Sequence, residues 1–257
     1  MYKTRSFRDK TNSHFYKFLL TFGVPTLLFT VVPPLLILLF FTSTDKFKEP
    51  KTTILTVFFL GFLICLPAGI LNELSHNFFF DGTDYSKSLT GSFLGPAWAE
   101  ELLKFSILYL IILKRDEFNE PMDGLVYGVV VSLGFATYEN YTYVYEWAST
   151  IAKEENFDFI EFSYIVAKGR SYSAIPMHGL NGAVMGYYFG CYAFSGNKRY
   201  LALSLILPYL FHGFYNFLGW PNMMIVIVIL VIFSLVLHNK LIRLQLLKKN
   251  EEEIKKI

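Results

Sequence analysis

Three glutamates and two histidines stand inside apolar sequence: Glu100 and Glu101 in AWAEELLKFSIL, Glu139 in FATYEN, His178 in PMHGLN and His212 in FHGFYNF. Lys104, Asn140 and Asn216 share those stretches, and Glu73 lies in another. A charge at the centre of a membrane helix costs roughly 2.5–3.5 kcal/mol, so it persists mainly where it is used. A single histidine or asparagine reads best as interhelical glue worth about 1 kcal/mol or less, but five carboxylates and imidazoles together exceed that role. No Ser–His or Cys–His pairing accompanies them, which points to activation of water rather than to a covalent nucleophile. One route lets a glutamate take a proton from water while histidine or asparagine N–H groups hold the oxyanion. In the other, two histidines and a glutamate (His178, His212 and Glu139) hold a zinc ion whose water attacks. There is no HExxH, so a zinc site would be assembled from separate helices. The residues alone leave both routes open.

The elements that must position these groups follow from hydropathy. The chain has 257 residues, 53% hydrophobic and 18% aromatic, with a mean hydropathy of +0.40. Its apolar residues fall in blocks of membrane-spanning length. The pattern predicts an all-α, polytopic membrane helical bundle of about seven transmembrane helices, or eight with an additional or re-entrant N-terminal segment. The predicted spans are 16–41, 53–78, 95–113, 121–147, 171–194, 200–219 and 222–239. They divide the chain into a basic N-terminal tail (1–15), a membrane-embedded domain (16–239) and a charged C-terminal tail (240–257) expected to be a mostly solvated helix. Pro25 and Pro33-Pro34 predict a kink in the first span. The net charge of +2 argues against a nucleic-acid partner. Cys65 and Cys191 lie in apolar blocks and indicate neither a disulfide framework nor a cysteine zinc site. No cleavable leader is evident, because the first apolar block is too long for one.

Alternating spans put the N-terminus and the loops 79–94 and 148–170 on one side, here side A. At a rise of about 1.5 Å per residue, Glu100, Glu139, His178 and His212 all lie roughly 8–12 Å below that side. Glu73 falls in the same layer. Within α-helices, Glu100 and Lys104 are i,i+4 neighbours, as are His212 and Asn216, whereas Glu101 points about 100° away from Glu100. Lysine one turn below Glu100 makes Glu100 the favoured proton acceptor. Small residues at Gly124/Gly128 and Gly182/Gly186/Gly190 permit close helix approach, read here as simple packing. His14, His76 and His238 read as surface or interfacial residues. Basic turns at Lys114-Arg115 and Lys198-Arg199 favour a cytoplasmic C-terminus, against the contrary weight of the basic N-terminus.

Four blocks in order then resemble a known family. EELLK matches EExxK, MDGLVYGVVVSLGFATYEN ends in FxxxEN, RSYSAIPMHGLNGAVMGYYFG carries a histidine, and FHGFYNF closes the set. In this order and spacing they resemble the PrsW family of intramembrane proteases, which is related to the CAAX-processing and Abi membrane proteases. The resemblance spans roughly residues 30–220. It implies an endopeptidase of a bacterial-type cell membrane that cuts membrane-anchored protein substrates within the lipid bilayer, as in regulated proteolysis of anti-sigma factors. It implies a catalytic set of Glu100, Glu101, Glu139, His178 and His212, supported by Lys104, Asn140, Asn216, Asp123 and Arg170. The family's usual grouping with metallopeptidases implies zinc, with Glu139, His178 and His212 as its ligands. Asn216 stands where an aspartate is common in the family. Two alternatives compete: a CAAX-type prenyl-protein endopeptidase, disfavoured by the glutamate of FxxxEN where that group carries histidine, and a proton- or cation-coupled transporter, disfavoured by the lack of repeated halves.

Overall fold

The computed structural model describes residues 23–80 and 88–254. His14, the basic tail and the start of the first predicted span lie outside the described residues. All regular structure among the described residues is helical. The first helix, α1 (Val24–Thr44), holds Pro25 in its first turn, where a missing N–H is harmless, and runs as one helical element across Pro33-Pro34. Pro34 withholds the N–H that the Thr30 carbonyl would otherwise accept; Asn140 Nδ2 donates to that carbonyl at 3.4 Å. A neighbouring helix thus satisfies the group that proline frees, as membrane helices require.

Next come α2 (Lys51–Leu63) and α3 (Cys65–Phe80), separated only at Ile64. A turn at Leu89–Ser92, capped by Ser88, leads into a π-helical stretch, Phe93–Ala97, in which Gly95 leaves helical geometry (φ −81°, ψ −118°) just before Pro96. From this kink α4 (Trp98–Leu110) starts, so EELLK occupies its first turns. Pro121 and a capping box between Glu120 and Asp123 open α5 (Pro121–Tyr141). It continues through a π turn, Thr142–Trp147, into a helix at Ala148–Glu154. Then follow α6 (Phe159–Tyr172), α7 (Ala174–Ser195), α8 (Lys198–Leu218) and α9 (Met223–Ile254).

Among the described residues, four stretches are long and apolar enough to cross a membrane: α1, the α2–α3 pair (Lys51–Phe79), α8, and Met223–Asn250 of α9. The predicted seven exceeds this number because α4 is only 13 residues long and α5 and α7 carry polar and glycine residues. The last two form the core: nearly every residue from Met122 to Ala136, and from Ala174 to Gly186, is buried. Helices apolar all round belong in an interior. Their contact depends on missing side chains. A Cβ on Gly128 would enter the Gly182 carbonyl, and one on Gly124 would lie 2.8 Å from the Gly190 backbone. On the other face of α5, Gly134 meets the Phe58 backbone of α2 in the same way.

Several expectations need correction. The stretch 148–170 is not a loop: Asp158 caps α6, its side chain accepting from the Glu161 amide at 2.8 Å, and α6 packs on α1. His238 is buried, with a ring nitrogen 2.9 Å from Thr44 Oγ1 and aromatic neighbours Phe40 and Phe41. The C-terminal tail is, as expected, a helix, running to Ile254 and mostly exposed up to Asn250, but it continues α9 directly and packs Leu241 and Gln245 inward. The alternation of inward Leu237, Leu241 and Gln245 every fourth residue explains why the helix stays docked past the apolar block.

Candidate active site

The kink at Gly95-Pro96 aims the first turn of α4 inward, so Glu100, Glu101 and Lys104 are all buried. The close α5–α7 contact sets Glu139 against His178, and α8 brings His212 from a third direction. One oxygen or nitrogen from each of Glu100, Glu101, His178 and His212 lies within 4.8 Å of the others. Of the depth layer counted along separate helices, all but Glu73 therefore meet in one cluster in space.

Glu101 lies at the back, fully buried. Its Oε1 accepts from Lys104 Nζ at 2.8 Å and from His212 Nδ1 at 2.9 Å. Lys104 Nζ is 3.7 Å from Glu100 and 3.0 Å from His178 Nδ1, and stands 4.3 Å from the centre of the Phe135 ring. An ammonium only donates, so His178 Nδ1 accepts and its Nε2–H donates to Glu139 Oε2 at 2.9 Å. In the same way Glu101 holds the Nδ1–H of His212, leaving Nε2 free and 3.9 Å from Glu100 Oε2. The i,i+4 argument assigned Lys104 to Glu100; its shorter contact is with Glu101 at i,i+3.

Glu139 is the partly open member, its Oε2 held by Arg170 Nη2 at 2.7 Å. The same guanidinium donates from Nε to Asn140 Oδ1 at 2.8 Å and lies over the Tyr143 ring. Arg170 thus grips both Glu139 and Asn140 of the YEN sequence. In front of the cluster is a cavity of about 610 Å³ lined by Glu100, Glu139, His212, Asn216, Asn72 and Cys65, among others. Asn72 on α3 went unnoticed in the sequence, where a lone asparagine in an apolar run carries no signal, and Cys65 was read only as belonging to neither a disulfide framework nor a cysteine zinc site. Glu73, their neighbour, is exposed and does not line the cavity, because one residue along a helix turns the side chain about 100°. Asp123 also lies elsewhere: sixteen residues before Glu139, it is roughly 24 Å away along α5.

Helices that bury carboxylates, imidazoles and one lysine about a single cavity are the build of a membrane-embedded hydrolase. Residues 49–238 match the family model described as PrsW family intramembrane metalloprotease, and the chain belongs to that family. It is 29% identical over 236 residues to Protease PrsW of Clostridioides difficile (strain 630), covering 90% of this chain and 93% of that one. It is 32% identical over 191 residues to Protease PrsW of Geobacillus kaustophilus (strain HTA426), covering 73% and 76%. To Protease PrsW of Bacillus subtilis (strain 168) it is 32% identical over 192 residues, covering 73% and 79%. No solved structure matches the chain. The protein is an intramembrane peptidase.

Proposed function

We propose that the Glu100, Glu101, Glu139, His178 and His212 cluster is the catalytic centre and that it cuts membrane-anchored proteins near the side-A face. The convergence of four donor residues within 4.8 Å at the head of a cavity carries this reading. Glu100 is the proton acceptor: it lines the cavity, and its Oε2 is buried without a hydrogen-bond partner. One water bridges the 3.9 Å between that oxygen and His212 Nε2 with ordinary hydrogen bonds. As the water oxygen attacks the peptide carbonyl, its proton passes to Glu100, which returns it to the leaving nitrogen when the C–N bond breaks. Asn216 Nδ2, one turn along α8 from His212, donates to the oxyanion. Glu101 and Lys104 fix the imidazoles from behind, and Arg170 with Asn140 holds Glu139 at the wall.

The residues fit the metal that the family description implies. Glu100 Oε2 and Glu101 Oε2 are buried and unpartnered, and His212 Nε2 is the third free donor. Glu100, Glu101, His178 and His212 would hold the ion, whose nitrogen and oxygen donors suit zinc. Bound there, it supplies Lewis acidity and a more acidic water. His178 would ligate through Nδ1 in place of its contact with Lys104, and Glu139 would orient the ring through Nε2–H, as outer partners of metal-bound histidines do.

The substrate class is a protein anchored by a membrane helix, as in regulated proteolysis of the anti-sigma-factor type. With α4, α5 and α7 crossing alongside the four apolar stretches, the bundle has seven spans and a cytoplasmic C-terminus. The test uses a membrane-anchored reporter in cells. Glu100→Gln, Glu139→Gln and His212→Ala should each abolish cleavage while expression and insertion stay normal; normal cleavage in all three would refute the assignment. Activity lost on chelation and restored by zinc supports the metal route, and activity indifferent to chelation removes it.

A further inference from the structure

At the end of the bundle opposite the catalytic cluster, four carboxylates are buried together. Asp45 and Glu49 come from the α1–α2 loop, and Glu120 and Asp123 from the start of α5; their exposures are 2%, 8%, 6% and 1%. Buried carboxylates demand compensation by cations or hydrogen-bond donors. The donors here are nearly all neutral. Tyr127 Oη donates to Glu49, and Gln245 Nε2 donates to Glu120 and, at 2.7 Å, to Asp45. Lys248 reaches Glu120 at 3.7 Å but is half exposed, and Lys48 is spent on the Thr42 and Ser43 carbonyls. Burial raises both Glu49 and Glu120 above the ordinary carboxyl range.

The geometry within the cluster points to a ligand. Oxygens of Asp45, Glu49 and Asp123 lie within 4.8 Å of one another. Asp123 Oδ2 accepts from the Asn119 and Glu120 amides, both at 2.8 Å. Its Oδ1 is buried with no donor group on it, and the side chain lies within hydrogen-bond reach of the Glu49 carboxyl, a contact between two carboxyl groups that a shared proton or a cation must hold. A cavity of about 550 Å³ lined by Asp45, Glu49 and Lys48 adjoins the cluster and offers a path in. All nearby donors are oxygens, with neither sulfur nor imidazole among the three, which selects a hard cation.

We propose that Asp45, Glu49 and Asp123 form a site for a hard divalent cation, Ca²⁺ or Mg²⁺, that ties the α1–α2 loop to the first turn of α5. The site is separate from the catalytic cluster and stands whatever that cluster's metal proves to be. Its role is structural: α5 carries Glu139 at its other end, and the cation fixes where that helix begins.

The test uses the full chain purified in detergent and stripped with chelator, with Ca²⁺ and Mg²⁺ alone as probes. At a cation concentration a hundredfold above Kd, Tm should rise by roughly 5–10 °C. Glu49→Gln and Asp123→Asn should each remove that rise. Without metal, Glu49→Gln should melt no lower than the native chain, having shed a repelling charge while keeping an acceptor for Tyr127. The double variant Glu100→Gln/His212→Ala should respond as the native chain does, which separates this site from the catalytic one. Equilibrium dialysis of the native chain and of that double variant should give one tightly held cation in each, a measurement independent of how the cluster variants fold. A native Tm indifferent to both cations up to about 10 mM, beyond the weakest protein calcium sites, would overturn the proposal. So would a response that survives both cluster substitutions.

Discussion

Replacing Lys104 with methionine, which keeps an unbranched side chain one atom shorter and removes the charge, probes the logic of the catalytic cluster. Lys104 is fully buried, 2.8 Å from Glu101 and 3.7 Å from Glu100. At an effective dielectric constant of about 20 these contacts are worth about 6 and about 4.5 kcal/mol of attraction. Desolvation of the ammonium takes back several kcal/mol, and removing one partner of a buried pair typically costs about 3–5 kcal/mol net. For a chain of this size that corresponds to a fall in Tm of roughly 6–20 °C, read by thermal unfolding in detergent. The second arm decides the cause. Lys104→Met with Glu101→Gln removes the nearer ion pair whole, leaves only the more distant Glu100 without its cation, and should recover at least half of the lost Tm. A single variant within about 2 °C of native would show that Lys104 does not neutralise the cluster. A double variant as unstable as the single one would assign the loss to packing against Phe135 instead.

Three further outcomes follow from the geometry. Gly128→Ala drives a methyl group into the Gly182 carbonyl and should lower stability by about 1–3 kcal/mol and cleavage with it, whereas Gly169→Ala, which meets open space, should leave Tm unchanged or slightly raised. Arg170→Lys keeps the charge but loses the fork that holds Glu139 and Asn140 together; kcat/KM in a reporter assay should fall about ten- to a hundredfold with expression unchanged. Gln245→Ala takes the amide donor from Asp45 and Glu120, and unfolding measurements should show a loss of about 1–3 kcal/mol.

The site was more legible in the sequence than the fold around it. Charges in apolar sequence are rare and costly, so Glu100, Glu101, Glu139, His178 and His212 stood out. Counting residues from one membrane face was enough to predict that they meet, because a helix rises by the same amount whatever its neighbours. Rotation about the helix is less forgiving. Glu73 has the right depth but the wrong bearing, one residue from the Asn72 that does line the cavity. Lys104 was given to Glu100 by the i,i+4 rule, yet buried side chains also respond to groups from other helices. His212 and His178 pull Glu101 and Lys104 into one network that no spacing within α4 contains.

Hydropathy separated the helices that face lipid from those that do not only in part. The four apolar stretches announce themselves, while α5 and α7 look weaker because a helix enclosed by protein can afford glycine, serine and asparagine. The same reasoning explains why the acidic cluster at the far end went unread. Asp45 and Glu49 lie in a segment that composition marks as an ordinary polar turn, and Asp123 reads only as a supporting residue of a matched block. Gln245 sits in a tail whose charges suggest solvent. Their burial becomes visible only once α9 is seen to continue past its apolar block and close over the start of α5. Charge in a span signals cost by itself; charge at a helix end does so only when a distant part of the chain covers it.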